Sequence, residues 1–426
     1  MGVEPAGRLW TRDFVLAIVT NLFISMVYYL LMVSMALYAV ERFRASDSAA
    51  GFASSSFILG AVVSRLFSGK LMEVVGRKRL LIVSLGLYTL LSYLYIPSGS
   101  LELLLALRLL HGMAFGAGST ALAAGVQGLI PPARRSEGTG YFGVSTTLST
   151  AVGPFLAVLL SAGGNYDGIF WFCTISSIAA LAVGLLVRLP ERRPAAVEIP
   201  APEDPAAPGP VPPVHKRRRL GLTSFVDPDA LPISLVTLLG GFAYSGIVAF
   251  LTSYTREEGL DSAGAVFFLV YAVAVLVSRL FAGRLQDRRG DNMVMYPLLL
   301  VFAAGLALLA VEPSPVTIVL AAVGTGLGFG GLMPAVQAIA VKAVPEARIG
   351  LATSTFFVML DVGVGFGPVL LGVFLPLTGF AGMYAVLCAL VVLTIGVYLL
   401  VHGRKPVSRR PGAATAVGDA GAGISG

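Results

Sequence analysis

Along its whole length the chain alternates between two textures. Apolar stretches of about twenty residues or more recur, separated by short polar segments in which Lys, Arg, Gly and Pro concentrate. A helix rises about 1.5 Å per residue, so some 20 apolar residues cross a hydrocarbon core about 30 Å thick. Twelve spanning helices are predicted, over 14–40, 50–70, 80–98, 101–128, 139–162, 168–189, 230–254, 262–284, 293–312, 315–342, 349–375 and 380–402. No stretch shows the ten-residue alternation of a barrel strand. The first is too long for a signal-peptide core and has no evident cleavage site, so it is expected to stay as a helix.

Two segments fall outside this rhythm. "PERRPAAVEIPAPEDPAAPGPVPPVHKRRR", rich in Pro and Ala and mixed in charge, cannot bury enough apolar surface to fold alone and reads as a linker. The stretch after Val401, ending "PGAATAVGDAGAGISG", reads as disordered for the same reason. The expected organisation is a six-helix bundle over 1–189, a linker over 190–229, a second six-helix bundle over 230–402 and a tail over 403–426.

Composition agrees. The chain is 56% hydrophobic and 12% charged, with a mean hydropathy of +0.85; a soluble domain carries about 25% charged residues. Fifty glycines suit close packing of membrane helices. Cys173 and Cys388 both lie in apolar runs and read as packing residues, too few and too far apart for a disulfide framework or a metal site. The net charge of +7 raises the question of nucleic acid, but the basic residues sit in short loops. With the N-terminus inside, 24 of the 30 Lys and Arg fall on the inner side and 3 (Arg42, Arg44, Arg256) on the outer, leaving Arg65, Arg108 and Arg279 within spans. The charge is therefore a topology signal with both termini cytoplasmic, and no nucleic-acid partner is expected.

"SRLFSGKLMEVVGRKR" (64–79) returns as "SRLFAGRLQDRRGD" (278–291), an offset of 214. The same offset carries Gly112 and Gly116 onto Gly326 and Gly330, Pro131 and Arg134 onto Pro345 and Arg348, and Gly153-Pro154 onto Gly367-Pro368. The halves are duplicates with the same membrane orientation, since six spans return the chain to its starting side. Parallel repeats of this kind describe one transporter design.

"GKLMEVVGRKR" resembles the loop 2–3 signature of the major facilitator superfamily, and "GRLQDRRGD" resembles its degenerate second copy. "RLLHG" (108–112) is similar to that family's Arg-x-x-x-Gly motif, and "STAVGPFLAVLL" to part of the Gly-Pro motif of its drug and metabolite exporters, the arabinose-efflux-permease-like branch. Glu73 stands where Asp is usual and His111 where Gln is common; the fifth span lacks the fuller glycine pattern. The resemblance implies an all-α membrane fold of twelve helices in two parallel six-helix repeats around a central cavity. It also implies a monomer in the cell membrane whose partners are a small-molecule substrate, protons and the bilayer. No cofactor or metal is expected, and neither is an enzyme: there is no nucleophile elbow, P-loop or zinc motif.

The candidate chemistry follows. Gly69, Glu73, Gly76, Arg77 and Lys78, with Gly283, Asp287 and Gly290 in the second copy, form a candidate cytoplasmic gate. The glycines permit a tight turn and close helix approach, and Glu73 can pair with Arg77, Lys78 or a helix N-terminus of the other half; the alternative is that these charges only fix topology. Arg65 and Arg279 lie about one turn inside the interface, where both could snorkel to water, and are expected to pair structurally; substrate contact is the alternative. Asp361, about 18 Å into span eleven, is the only acidic residue deep in any span, and its counterpart is Thr147. A charge there costs about 2.5–3.5 kcal/mol and marks pathways, and low dielectric favours the neutral carboxyl that a proton carrier needs. Asp361 and His111 are proton-coupling candidates, and the resemblance implies proton relay or charge switching for Arg108; a structural hydrogen bond for Asp361, anion binding for Arg108 and neutral packing for His111 are the rivals. The resemblance implies that helices 1, 4, 7 and 10 line the cavity, which makes Asn21, Ser25, Tyr28, Tyr29, Ser119, Tyr244, Ser245 and Gln337 substrate candidates. Such a lining suits an amphipathic or weakly polar solute. Proton-coupled export by alternating access is the leading expectation; a proton-coupled importer, or a non-transporting sensor or scramblase, are the alternatives.

Overall fold

In the computed structural model, residues 8–160, 166–190, 225–311 and 313–409 are described, and among them the chain is helical with no strand. The helices are α1 (Arg12–Phe43), α2 (Asp47–Val75), α3 (Arg77–Leu94), α4 (Leu101–Leu129), α5 (Arg135–Leu160), α6 (Asp167–Leu186), α7 (Leu231–Glu257), α8 (Asp261–Arg289), α9 (Asn292–Ala310) and α10 (Pro315–Lys342). A last trace, Ile349–Tyr398, is broken at Gly379 (φ 66°) into α11 (349–378) and α12 (380–398). Eight of these traces are long and apolar enough to cross a membrane by length and composition, the one carrying α11 and α12 counted once; α2, α3 and α5 pack among them. The expected linker and tail fall mostly on 191–224 and 410–426, outside the described residues.

Local sequence sets the helix ends. Thr11, Ser100 and Ser314 each accept a hydrogen bond from the backbone three residues on, at 3.2–3.3 Å, which satisfies one of the free N–H groups of a helix start. α2 stops at Gly76 (φ 95°, ψ 151°) and α8 at Gly290 (φ 90°, ψ 166°), a backbone region open only to glycine. The sharp turn out of each is therefore written in the repeated motif.

The two halves pack alike. α2 lies on α4 and α8 on α10, α1 on α5 and α6, α3 on α4 and α6, with α7, α9, α11 and α12 making the corresponding contacts. Glycine permits the closest of these: a Cβ at Gly112 would stand 1.9 Å from the Phe57 carbonyl oxygen, and at its counterpart Gly326 2.7 Å from that of Tyr271. Outward-facing apolar side chains such as Phe155, Phe281, Val373 and Leu400 stay 65–67% exposed, a surface that lipid rather than water would cover.

Candidate functional site

The halves meet through α2 with α11 and α5 with α8. The tightest of these contacts gather at the end of the bundle that carries the loops after α2, α4, α8 and α10, here the basic end. A Cβ at Gly283 would stand 2.4 Å from the Ser136 carbonyl oxygen and 2.7 Å from Glu137 Cα; one at Gly69 would stand 2.7 Å from Leu351 Cδ1. Both motif glycines thus lie where one half touches the other.

The polar part of this contact centres on Asp287. Its two carboxylate oxygens accept from the backbone N–H groups of Ser136 (3.1 Å) and Glu137 (2.8 Å), the first turn of α5 in the opposite half. A carboxylate against exposed helix N–H groups and the positive end of the helix dipole is a favourable arrangement. Lys342 reaches Asp287 at 3.2 Å and the Ser136 hydroxyl at 2.9 Å. Beside it, Glu137 accepts from Arg134 (2.7 and 2.9 Å) and from Arg284 of the other half (2.6 Å). Burial pushes the Glu137 carboxyl up, but the hydrogen bonds from the two arginines outweigh it and hold the group below its ordinary value. None of Ser136, Glu137, Arg284 and Lys342 was singled out from sequence; "RRSEG" at the start of α5 was the available signal, a serine and a glutamate where a helix begins.

Glu73 departs from expectation. It is exposed on the last turn of α2 and, among the described residues, makes no hydrogen bond or ion pair with Arg77, Lys78 or a helix N-terminus. The helix-capping contact anticipated for it is made by Asp287, its counterpart. Arg77 instead donates to the Glu346 carbonyl of the other half (3.2 Å), and Lys78 to the carbonyls of Gly184 (2.5 Å), Leu185 (2.9 Å) and Val187 (2.5 Å) at the end of α6.

Deeper in, Arg65 of α2 forms an ion pair with Asp361 of α11, joining the two halves. The guanidinium also lies 4.8 Å from the Phe357 ring and 5.7 Å from the Phe115 ring, with Ser119 Oγ 3.5 Å from Nη2. The Ser354 hydroxyl donates to the Arg65 carbonyl, a second link between α11 and α2. Two residues picked separately from sequence, one as a structural charge and one as a coupling candidate, are thus brought together.

Arg108 and His111 lie elsewhere. Arg108 is 1% exposed, donates from Nε to the Ala53 carbonyl (2.8 Å) and packs 4.8 Å over the Phe57 ring. His111 is fully buried within the first half, its ring nitrogens 3.2 Å from Ser92 Oγ and 3.0 Å from the Tyr95 hydroxyl. Placed i and i+3 on α4, both make their contacts within the first half.

Of the substrate candidates, Asn21 bonds Ser145 (2.8 Å) and Thr146 (3.0 Å), tying α1 to α5. Ser245 is buried, donates to the Phe242 carbonyl (2.7 Å) and packs against Gly367. Both serve helix packing rather than open space. Ser25 and Gln337 are buried at 5% and 7%, and the Gln337 amide nitrogen has no hydrogen-bond partner. Tyr28 stacks on Phe115 at 4.9 Å and lies 4.7 Å from Tyr29; Tyr244 stacks on Phe329 at 4.1 Å and on Tyr271 at 5.8 Å. Each half therefore carries one aromatic platform.

The chain's fold matches the human organic anion transporter MFSD10 (TETRAN) with a TM-score of 0.74 at 18% identity, over 91% of this chain and 98% of that one. It matches the proton:xylose symporter XylE with a TM-score of 0.71 at 12% identity, over 94% and 97%. By sequence it is 22% identical to the staphylopine export protein of Staphylococcus aureus, over 86% of this chain and 89% of that protein. It is also 23% identical to an uncharacterized MFS-type transporter of Methanocaldococcus jannaschii, over 82% and 88%. These relatives are membrane transporters and not enzymes. The sequence profile of the Major Facilitator Superfamily matches residues 17–311 and 260–423, and with the paired halves and repeated motifs described above, this multi-pass membrane protein belongs to the Major Facilitator Superfamily.

Proposed function

We propose that the chain is a secondary active transporter that moves a small amphipathic or weakly polar solute by alternating access, exporting it in exchange for protons. The observation that carries this reading is the Arg65–Asp361 pair. It joins the halves at depth, so a rocking motion that parts α2 from α11 has to break it. In a low-dielectric setting, separating the charges leaves each uncompensated, at a cost of about 3–5 kcal/mol. A proton on Asp361 removes the carboxylate's share of that cost and the ionic attraction that holds the pair together. Opening of the basic end is thereby linked to proton uptake, and closure to proton release. The 24-to-3 distribution of Lys and Arg supports a cytoplasmic side for the basic end, the 190–229 segment and both termini. The interlocked basic end is then the outward-facing arrangement. The similarity to a staphylopine exporter supports the export direction.

The test is Asp361→Asn, which mimics the protonated carboxyl permanently. With a solute identified by thermal stabilisation of the purified protein, the variant is expected to bind it and to lose accumulation in proteoliposomes under an imposed pH gradient. Normal accumulation by the variant overturns proton coupling through this residue.

A further inference from the structure

Resting on the transporter reading, we propose that Arg279 is the binding cation for an organic anion: a carboxylate or sulfonate carried on an aromatic or other apolar body.

The argument starts from the internal repeat. Arg65 and Arg279 are counterparts, and the groups around them correspond position by position at the same offset of 214. Phe57 and Phe115 correspond to Tyr271 and Phe329, while Ser354, Phe357 and Asp361 of α11 correspond to Gly140, Gly143 and Thr147 of α5. The structure keeps this correspondence in space. Ser354 touches the Arg65 carbonyl, and a Cβ at Gly140 would stand 2.7 Å from the Arg279 carbonyl oxygen. Phe357 lies over the Arg65 guanidinium, and a Cβ at Gly143 would stand 2.7 Å from Arg279 Nη1.

What differs is how the cation is satisfied. Arg65 is neutralised by Asp361 and roofed by Phe357. At Arg279 the acid is replaced by Thr147 and the roof by Gly143. Arg279 donates to two backbone carbonyls, those of Gly143 and Gly330, the latter at 3.3 Å from Nε. These dipoles carry no net charge, and among the described residues no carboxylate reaches it and Nη2 takes no partner. Asp361, the only deep acid, is already held by Arg65. Arg279, a partly buried residue, is therefore a cation with no carboxylate to neutralise it among the described residues. Its electrostatic neighbours are the hydroxyls of Tyr29, Tyr244 and Tyr271, and the Tyr244 ring stacks on Phe329. A guanidinium with a free donor, with Tyr29 of the first half and the stacked Tyr244 of the second among its electrostatic neighbours, matches a ligand with an anionic head and an apolar body.

The experiment measures ligand-induced thermal stabilisation and calorimetric affinity on the full chain in neutral detergent. Benzoate and benzenesulfonate are the anionic probes, with benzamide and benzyl alcohol as uncharged matches. The anions are expected to stabilise the protein and the neutral analogues not. Arg279→Gln is expected to weaken benzoate by about tenfold or more, and Arg279→Lys to retain part of the affinity. Thr147→Asp restores the arrangement seen at Arg65; it is expected to keep or raise thermal stability while removing benzoate binding, because the new carboxylate takes the ligand's place. That variant keeps the test decisive if Arg279→Gln does not fold. Equal responses to benzoate and benzamide, benzoate binding untouched in both Arg279→Gln and Thr147→Asp, or stabilisation by phosphatidylglycerol alone each overturns the proposal. Benzoate binding that depends on Arg279 without proton-driven accumulation leaves this site standing and removes the transport reading instead.

Discussion

Replacing Asp287 should open the basic end, and replacing Glu73 should not. The two residues are counterparts in the repeated motif, and sequence alone makes both gate candidates. In the structure Asp287 holds two backbone N–H groups of α5 across the halves, at 3.1 and 2.8 Å, whereas Glu73 is exposed without a polar partner among the described residues. A helix cap contributes about 0.5–2 kcal/mol and a hydrogen bond to a charged group about 1.5–3 kcal/mol. The contact exists only while the basic end is closed, so Asp287→Ala should shift the closed-to-open equilibrium by about 3 kcal/mol, roughly a hundredfold. Spin labels at Val74 and Lys405, exposed positions on opposite halves near the basic end, report the separation by pulsed electron resonance. The parent protein should show a short-distance population, Asp287→Ala a long-distance one, and Glu73→Ala the parent pattern. A parent-like distribution for Asp287→Ala, or equal opening by Glu73→Ala, refutes the assignment of the latch.

Gly283→Val should also disfavour closure, since even a Cβ there would meet the Ser136 carbonyl at 2.4 Å; the same label pair reads it, and an unchanged distance counts against the interlock. His111→Phe should lower thermal stability by about 1 kcal/mol by removing its hydrogen bonds to Ser92 and to the Tyr95 hydroxyl, yet leave the pH dependence of transport unaltered; a shifted pH profile would return His111 to the coupling path. Asp291 gives a pH test outside the spans. Burial pushes its carboxyl up, but the hydrogen bond from His402 (2.8 Å), the Lys342 charge and the hydrogen bond from Gln286 (2.9 Å) hold it below its ordinary value. The unfolded chain then binds this proton first, so the stabilisation is fully present above the unfolded value of about 3.9 and is lost as pH falls through the folded value. The melting-temperature gap between the parent and Asp291→Asn should be constant above about pH 5 and close below about pH 4; a gap independent of pH to pH 3 contradicts it.

Much of the architecture was legible in the sequence because a membrane simplifies the reading. Backbone groups in hydrocarbon must bond within their own segment, so a long apolar run has little choice but a helix, and the offset of 214 ties the second half to the first. Gly76 and Gly290 could be read as turn residues because their backbone shape is closed to other side chains. The partner of each charge was not legible, since that depends on which helices of the two halves meet and in what register. Sequence placed Arg65 and Asp361 in separate roles 296 residues apart, and only the packing of α2 on α11 joins them. Sequence treated Glu73 and Asp287 as equivalents, but their environments differ: Asp287 lies over the start of α5, and Glu73 points to solvent. Asn21 and Ser245 read as polar groups in a presumed lining and His111 as a coupling candidate, and the rotation of each helix turned them into packing contacts. Arg65 and Arg279 are alike in sequence, and what sets them apart is three side chains on the facing helix, which no inspection of their own motifs would reveal.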